Sequence, residues 1–196
     1  MIFLLLLIVA NSSIEYRAVS ESRTQLTELM IPTYANFGGK VHGGLILSLM
    51  DKIAYACATR HARMYCVTAS VDTVDFRSAV EVGNMLHMYA SVNYVGNSSM
   101  EVGIRTESHD IRSGESRHTN TSYFTMVGMG EDGKAAPVPG LLLESEEDIR
   151  RFLEAMQRRG LAKRYRKASN EIKSSVEIES ERALLDQQKC KVNWQP

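Results

Sequence analysis

Asp51 is the residue whose setting first invites a chemical reading. It stands inside the run GGLILSLMDKIAYACATRH, a lone carboxylate among Leu47, Leu49, Met50, Ile53 and Ala54. Apolar surroundings disfavour the charged form of a carboxyl and suit it to work as a general base or nucleophile; an ion pair with the adjacent Lys52 is the plainer alternative. Eight residues earlier, Gly43 and Gly44 open the same run. If the run is a helix, their free N–H groups and the positive dipole end attract a polarised carbonyl oxygen, and the missing side chains permit a close approach. Asn36 offers an amide to the same oxygen or to a water, or simply makes a turn. A carboxylate and a set of oxyanion donors are what transfer of an acyl group to water requires. His42, beside the glycines, reads as structural.

The spacing carries a second inference. Eight helical residues at 1.5 Å rise separate Gly43 from Asp51 by about 12 Å, too far for both to serve one carbonyl. The two must then come from different subunits, as in a C2 dimer with antiparallel helices and two equivalent sites.

The elements that position these residues follow from periodicity. The helix over Gly43–His61 is apolar or small on nearly every face, the mark of a buried helix. TQLTELMIPTYANFGGKV, from Thr24, reads as a strand and then a loop. Four stretches alternate with period two and predict strands: YCVTASVDTVDF from Tyr65, NMLHMYASVNYV from Asn84, SMEVGIRTES from Ser99 and RHTNTSYFTMVGM from Arg117. Turn chemistry separates them, as in an antiparallel meander. In the third, Met100, Val102 and Ile104 face one side and Glu101, Arg105 and Glu107 the other, so one sheet face is buried and one wet. After PVPG at Pro137–Gly140, Ile149, Phe152, Leu153 and Met156 predict an amphipathic second helix with acids in its first turn. One helix followed by such a meander closes its core only if the sheet wraps the helix, which is the α+β hotdog architecture.

Composition agrees with one soluble domain: 196 residues, 44% hydrophobic, with 23 basic against 23 acidic residues. A balanced charge argues against nucleic acid as a partner. Cys57, Cys66 and Cys190 lack the spacing of a disulfide framework or a metal site, and they favour a reducing, cytoplasmic location. Met1–Ala10, MIFLLLLIVA, is too short to span a bilayer and lacks the basic start of a secretory signal, so no membrane partner is expected. Three segments result: an N-terminal extension of unassigned role over 1–22, a domain over 23–160, and a polar, loosely ordered tail over 161–196.

Four motifs also carry a family resemblance: NFGGKVHGGLILSLMD (Asn36–Asp51), CVTASVDTVDF (Cys66–Phe76), VGNSSMEV (Val95–Val102) and SYFTMVGMGEDGKAAPVPG (Ser122–Gly140). In this order they resemble the hotdog acyl-CoA thioesterases, the group of the cytosolic acyl-CoA hydrolases and the brown-fat-inducible thioesterase, over about Gln25–Arg159. The resemblance implies hydrolysis of fatty acyl-CoA, with coenzyme A as part of the substrate and no cofactor. It makes Asn36, Gly43 and Asp51 the catalytic set, and it implies a double-hotdog homodimer, often a trimer of dimers. Lys40 departs from the family, in which Asp or Asn often stands there and takes part in catalysis, so the division of labour between that loop and Asp51 stays open. Ala69, Ser70 and Val71 match the pantetheine strand; Asn97, Ser98 and Ser99 form a donor-rich turn near which the family binds the nucleotide. His42 and Gly44 at the helix start complete the candidate coenzyme A contacts, together with Arg158 and Arg159, which open a basic run able to neutralise phosphates. Two other classes compete. A silent acyl-CoA-binding protein has no need of Asp51, and an acyl-thioester hydratase needs a His paired with an acid, for which only His42 is near.

Overall fold

The computed structural model describes residues 14–194, so the expectations for Met1–Ala10 lie outside it. It divides after Ala155 into two compact units. The first holds a five-stranded antiparallel sheet in the order β2-β4-β5-β6-β3, with β2 Thr24–Leu29, β3 Cys66–Val71, β4 Met85–Val95, β5 Ser99–His109 and β6 Ser116–Gly128. β4, β5 and β6 are the expected meander; β3 crosses to the edge beside β6, and β2 closes the other edge against β4.

Helix α2, Gly43–Ala62, lies on the concave face of this sheet. Ile46, Leu49, Met50, Ile53, Ala54, Cys57 and Ala58 of the helix pack with Met88, Val92, Met100, Val102, Ile104, Phe124 and Met126 of the strands in one core. Its last turn ends at Arg63, in the left-handed region at φ 55°. Burial pushes the Cys57 thiol up to about 12, so it behaves as a small apolar side chain.

The helix is not buried all round as its composition suggested. Gly44, Leu47, Ser48, Asp51, Lys52 and Tyr55 form an exposed stripe, because the sheet of one chain covers only one side. The strand expected over Tyr65–Phe76 stops at Val71; the following segment stays on β6 through Asp72 N–H to Tyr123 O and Arg77 N–H to Thr119 O, both 3.0 Å. On β5 the alternation holds, yet Glu101 is buried, so the outer face is wet at Arg105 and covered further along.

Part of the N-terminal extension, within 14–22, joins the fold. β1, Tyr16–Ala18, pairs in parallel with β7, Gly140–Leu142, and α1, Val19–Ser22, sends Val19 into the core. Tyr16 lies over Gly140, where a Cβ would come within 2.6 Å of the ring. The buried Ser22 hydroxyl accepts from the Val92 N–H on β4 at 3.0 Å. The C-terminal expectation also changes. α3 runs over Glu146–Ser175 and does not stop at Gly160; its turns beyond Ala155, with α4 (Ile178–Glu181) and a 3-10 turn over Arg182–Gln187, belong to the second unit.

Candidate functional site

Asp51 points away from the core, on the exposed stripe of α2. The apolar enclosure expected around it is absent in the single chain because Leu49, Met50, Ile53 and Ala54 turn toward the sheet. Lys52 is not the side-chain partner the structure gives it; the Thr68 hydroxyl of β3 donates to Asp51 Oδ1 at 2.6 Å. One carboxylate oxygen is thereby fixed, and the other keeps its lone pairs for a water or an acyl carbon. Thr68 escaped the sequence reading because a threonine in an alternating strand is unremarkable. The signal was spatial: an edge strand runs beside the exposed face of the helix.

The start of α2 separates the roles of its neighbours. His42 is the N-cap, its Nδ1 accepting from the Gly44 N–H at 3.0 Å, and its carbonyl accepts from Leu45 and Ile46. A Cβ on Gly44 would sit 2.6 Å from His42 Cε1, so this cap needs a glycine there. Among the described residues Gly43 N–H has no hydrogen-bond partner. A Cβ on Gly43 would meet nothing closer than the Phe76 ring at 3.7 Å, so packing within the chain does not demand a glycine at that place.

Asn36 is both a turn residue and a free donor. Its Oδ1 accepts from Gly38 N–H at 2.9 Å and Lys40 N–H at 3.1 Å, which requires the oxygen on that side and leaves the amide N–H2 facing outward. Lys40 is occupied elsewhere: its Nζ lies 2.5 and 2.7 Å from the Glu81 carboxylate, and its backbone bridges to Glu81. It anchors the loop to the segment before β4.

Of the other candidates, Thr68, Ala69 and Val71 are exposed on the edge strand and Ser70 is half-buried, an arrangement open to an extended ligand. Asn97, Ser98 and Ser99 make the β4–β5 turn. Ser99 pairs with Val127, and Val127 with Val67, so the turn lies two strands from β3 at the end where β3 begins. Its carbonyls are spoken for, Asn97 O by Val138 N–H and Ser98 O by Gly128 N–H, both at 2.9 Å. Arg158 and Arg159 belong to the second unit. A groove of about 780 Å³ opens on the outer face of the sheet beneath the first turns of α3, lined by Arg23, Tyr89, Asn93, Arg105, Tyr123 and Arg151 among others. It lies on the far side of the sheet from Asp51. Among the described residues no cluster of metal-binding side chains forms and no helix is long and apolar enough to cross a membrane.

Comparison with known proteins converges on one family. Residues 38–115 match the model of the thioesterase superfamily. The VdlD protein of Helicobacter pylori is 44% identical over 156 residues, 79% of this chain and 89% of that one. The cytosolic acyl coenzyme A thioester hydrolase of Homo sapiens is 33% identical over 74% of this chain and 38% of its own length. A hexameric acyl-CoA thioesterase solved in its apo form is 38% identical, with a TM-score of 0.75 over 78% of this chain and 97% of that one. The Staphylococcus aureus acyl-CoA hydrolase, solved with butyryl coenzyme A, coenzyme A and coenzyme A disulfide, is 31% identical, with a TM-score of 0.74 over 81% and 97%. With a helix wrapped by a curled sheet and relatives of this identity along most of its length, the chain belongs to the hotdog thioesterase superfamily and is an acyl-CoA hydrolase of it.

Proposed function

We propose that the chain hydrolyses the thioester of fatty acyl-CoA to free acid and coenzyme A at a site shared by two subunits. The observation that carries this reading is the Asp51 carboxylate, held by the Thr68 hydroxyl on an exposed helix face beside an edge strand. Gly43 N–H and the outward amide of Asn36, both from the other subunit, polarise the carbonyl oxygen and stabilise the oxyanion. Asp51, one oxygen tied to Thr68, directs the other at a water as general base, the water oxygen adding to the carbonyl carbon, the C–S bond breaking and the coenzyme A thiolate taking the proton; acting instead as nucleophile it forms a mixed anhydride as the C–S bond breaks, which water then hydrolyses to the free acid. Ala69–Val71 offer an edge for the pantetheine arm and the Asn97–Ser99 turn lies at the end where its phosphates would fall. No cofactor is needed. α2 is one unbroken helix from Gly43 to Ala62, which supports the distance of about 12 Å between donor and carboxylate, and hence the shared site.

Three alanine variants of the Staphylococcus aureus enzyme have been solved, at an asparagine, an aspartate and a threonine placed 15 and 17 positions apart; Asn36, Asp51 and Thr68 stand at the same spacings. A solved hexameric relative supports the trimer of dimers, and the cytosolic human relative supports a cytoplasmic location. The hydratase reading loses support, since His42 Nδ1 is spent on the helix cap and His61 Nε2 meets Pro139 O at 3.0 Å inside the core. The test is release of free thiol from acyl-CoA by the purified chain and by Asp51→Asn. We expect the variant to keep its fold and dimer and to lose at least about a hundredfold in kcat, the usual share of a positioned base. Turnover at the parent rate would remove Asp51 from the site.

A further inference from the structure

Four phenylalanines fall among the described residues, and they divide sharply. Phe124 is in the core and Phe152 packs on Tyr94 with ring centroids 5.0 Å apart. Phe37 is fully exposed and Phe76 is 44% exposed, and both stand at the donor end of α2. Phe37 follows Asn36 directly. Phe76 lies beside Gly43, its Cε2 and Cζ 3.7 Å from where a Cβ on that glycine would be.

Neither ring is carried by a loose segment. The Phe37 loop is closed by the Ala35–Val41 bridge, by both hydrogen bonds to Asn36 Oδ1 and by the Lys40–Glu81 pair. The Phe76 segment is bonded to β6 on either side, at Asp72 and Arg77. Two rings held against water by hydrogen-bonded backbone call for an apolar occupant. Asn97 to Ser99 and the open edge of β3 are polar or backbone surfaces suited to coenzyme A, which leaves the rings for the other half of the substrate.

We propose that Phe37 and Phe76 are the acyl-chain recognition surface, and that the preferred substrates are acyl-CoAs with linear chains of about six carbons or more. The inference rests on the function proposed above, which puts the carbonyl at Gly43 N–H and Asn36. An acyl chain leaving that carbonyl emerges between the residue after Asn36 and the ring beside Gly43. An acetyl group has a single methyl beyond the carbonyl and cannot cover both rings. A longer chain can, and each ring it covers leaves water.

The experiment is kcat/KM on acetyl-, butyryl-, hexanoyl-, octanoyl- and palmitoyl-CoA for the parent, Phe37→Ala, Phe76→Ala and Phe37→Leu, with oligomeric state followed by size exclusion. The parent should prefer octanoyl over acetyl by at least about tenfold. Each alanine variant should lower that ratio by about tenfold, the scale on which apolar pockets discriminate, and Phe37→Leu should recover most of it. An unaltered ratio in the variants overturns the proposal. So does an equal loss at every chain length, which would put the rings against the pantetheine arm or the partner subunit. If the parent hydrolyses the whole ladder without preference, this inference fails and the hydrolase stands; if it hydrolyses none, the function itself fails.

Discussion

At the scale of the residue, the site is a small set of groups with one job each. His42 spends its ring on the Gly44 N–H, Lys40 its ammonium on Glu81, and Asn36 its oxygen on the loop, so what remains unspent is Gly43 N–H, the Asn36 amide and one oxygen of Asp51. Thr68→Val, which keeps the shape of the side chain and removes the hydroxyl, should lower kcat by about tenfold with KM nearly unchanged, because it frees the carboxylate to rotate without touching the substrate. Parent kinetics in that variant would make the 2.6 Å bond a local contact without catalytic weight. Asp51, Asn36 and Gly43 were legible in the sequence because each is an unusual residue for its place: an acid in an apolar run, paired glycines at a helix start, an asparagine before a Gly-rich loop. Thr68 was not, since nothing in an alternating strand distinguishes the threonine that will meet a helix seventeen residues behind it. The exposure of Asp51 was misread for the converse reason. Apolar residues all round a helix mean burial all round only when every side has a partner surface, and the sheet of one chain covers one side.

At the scale of the element, α2 and the three meander strands were readable from period alone, and the small parts that clasp them were not. β1 and β7 are three residues each, too short for alternation to register, and their parallel pairing joins segments more than a hundred positions apart. Their neighbourhood includes His61, fully buried near the end of α2, with Nε2 on Pro139 O and Nδ1 without a hydrogen-bond partner. Burial, with a smaller contribution from the Arg17 guanidinium, holds its imidazole below the ordinary histidine value. The unfolded chain therefore takes up a proton that the folded chain refuses. The stabilisation is complete above about pH 6.5 and is lost as pH falls below that value toward the folded pKa. Thermal unfolding compared at about pH 7.5 and 5.5 should show a larger fall in Tm for the parent than for His61→Gln. Parallel falls in the two proteins would mean that His61 is not the group that titrates.

At the scale of the whole molecule, the distance of about 12 Å along α2 is what assigns the proposed site to two subunits. Mixing inactive Asn36→Ala with inactive Asp51→Asn should form dimers in which one site carries both lesions and the other neither. With random exchange about half the dimers are mixed, each with one intact site, so activity should return to about a quarter of the parent. Activity that stays at the level of the single variants after proven subunit exchange would put both residues to work in one chain. The edge position of β3 has one more consequence, which concerns the order in which the protein is made. β4, β5 and β6 are joined by short turns and can close early, whereas β3 pairs with β6 across more than forty intervening residues that include β4 and β5, a long-range pairing whose entropy cost is spent before any contact repays it. Thr68 meets Asp51 only when that long-range pairing is made. A nascent or partly folded chain can therefore own most of its sheet while the carboxylate proposed to act on acyl-CoA still lacks the hydroxyl that fixes it.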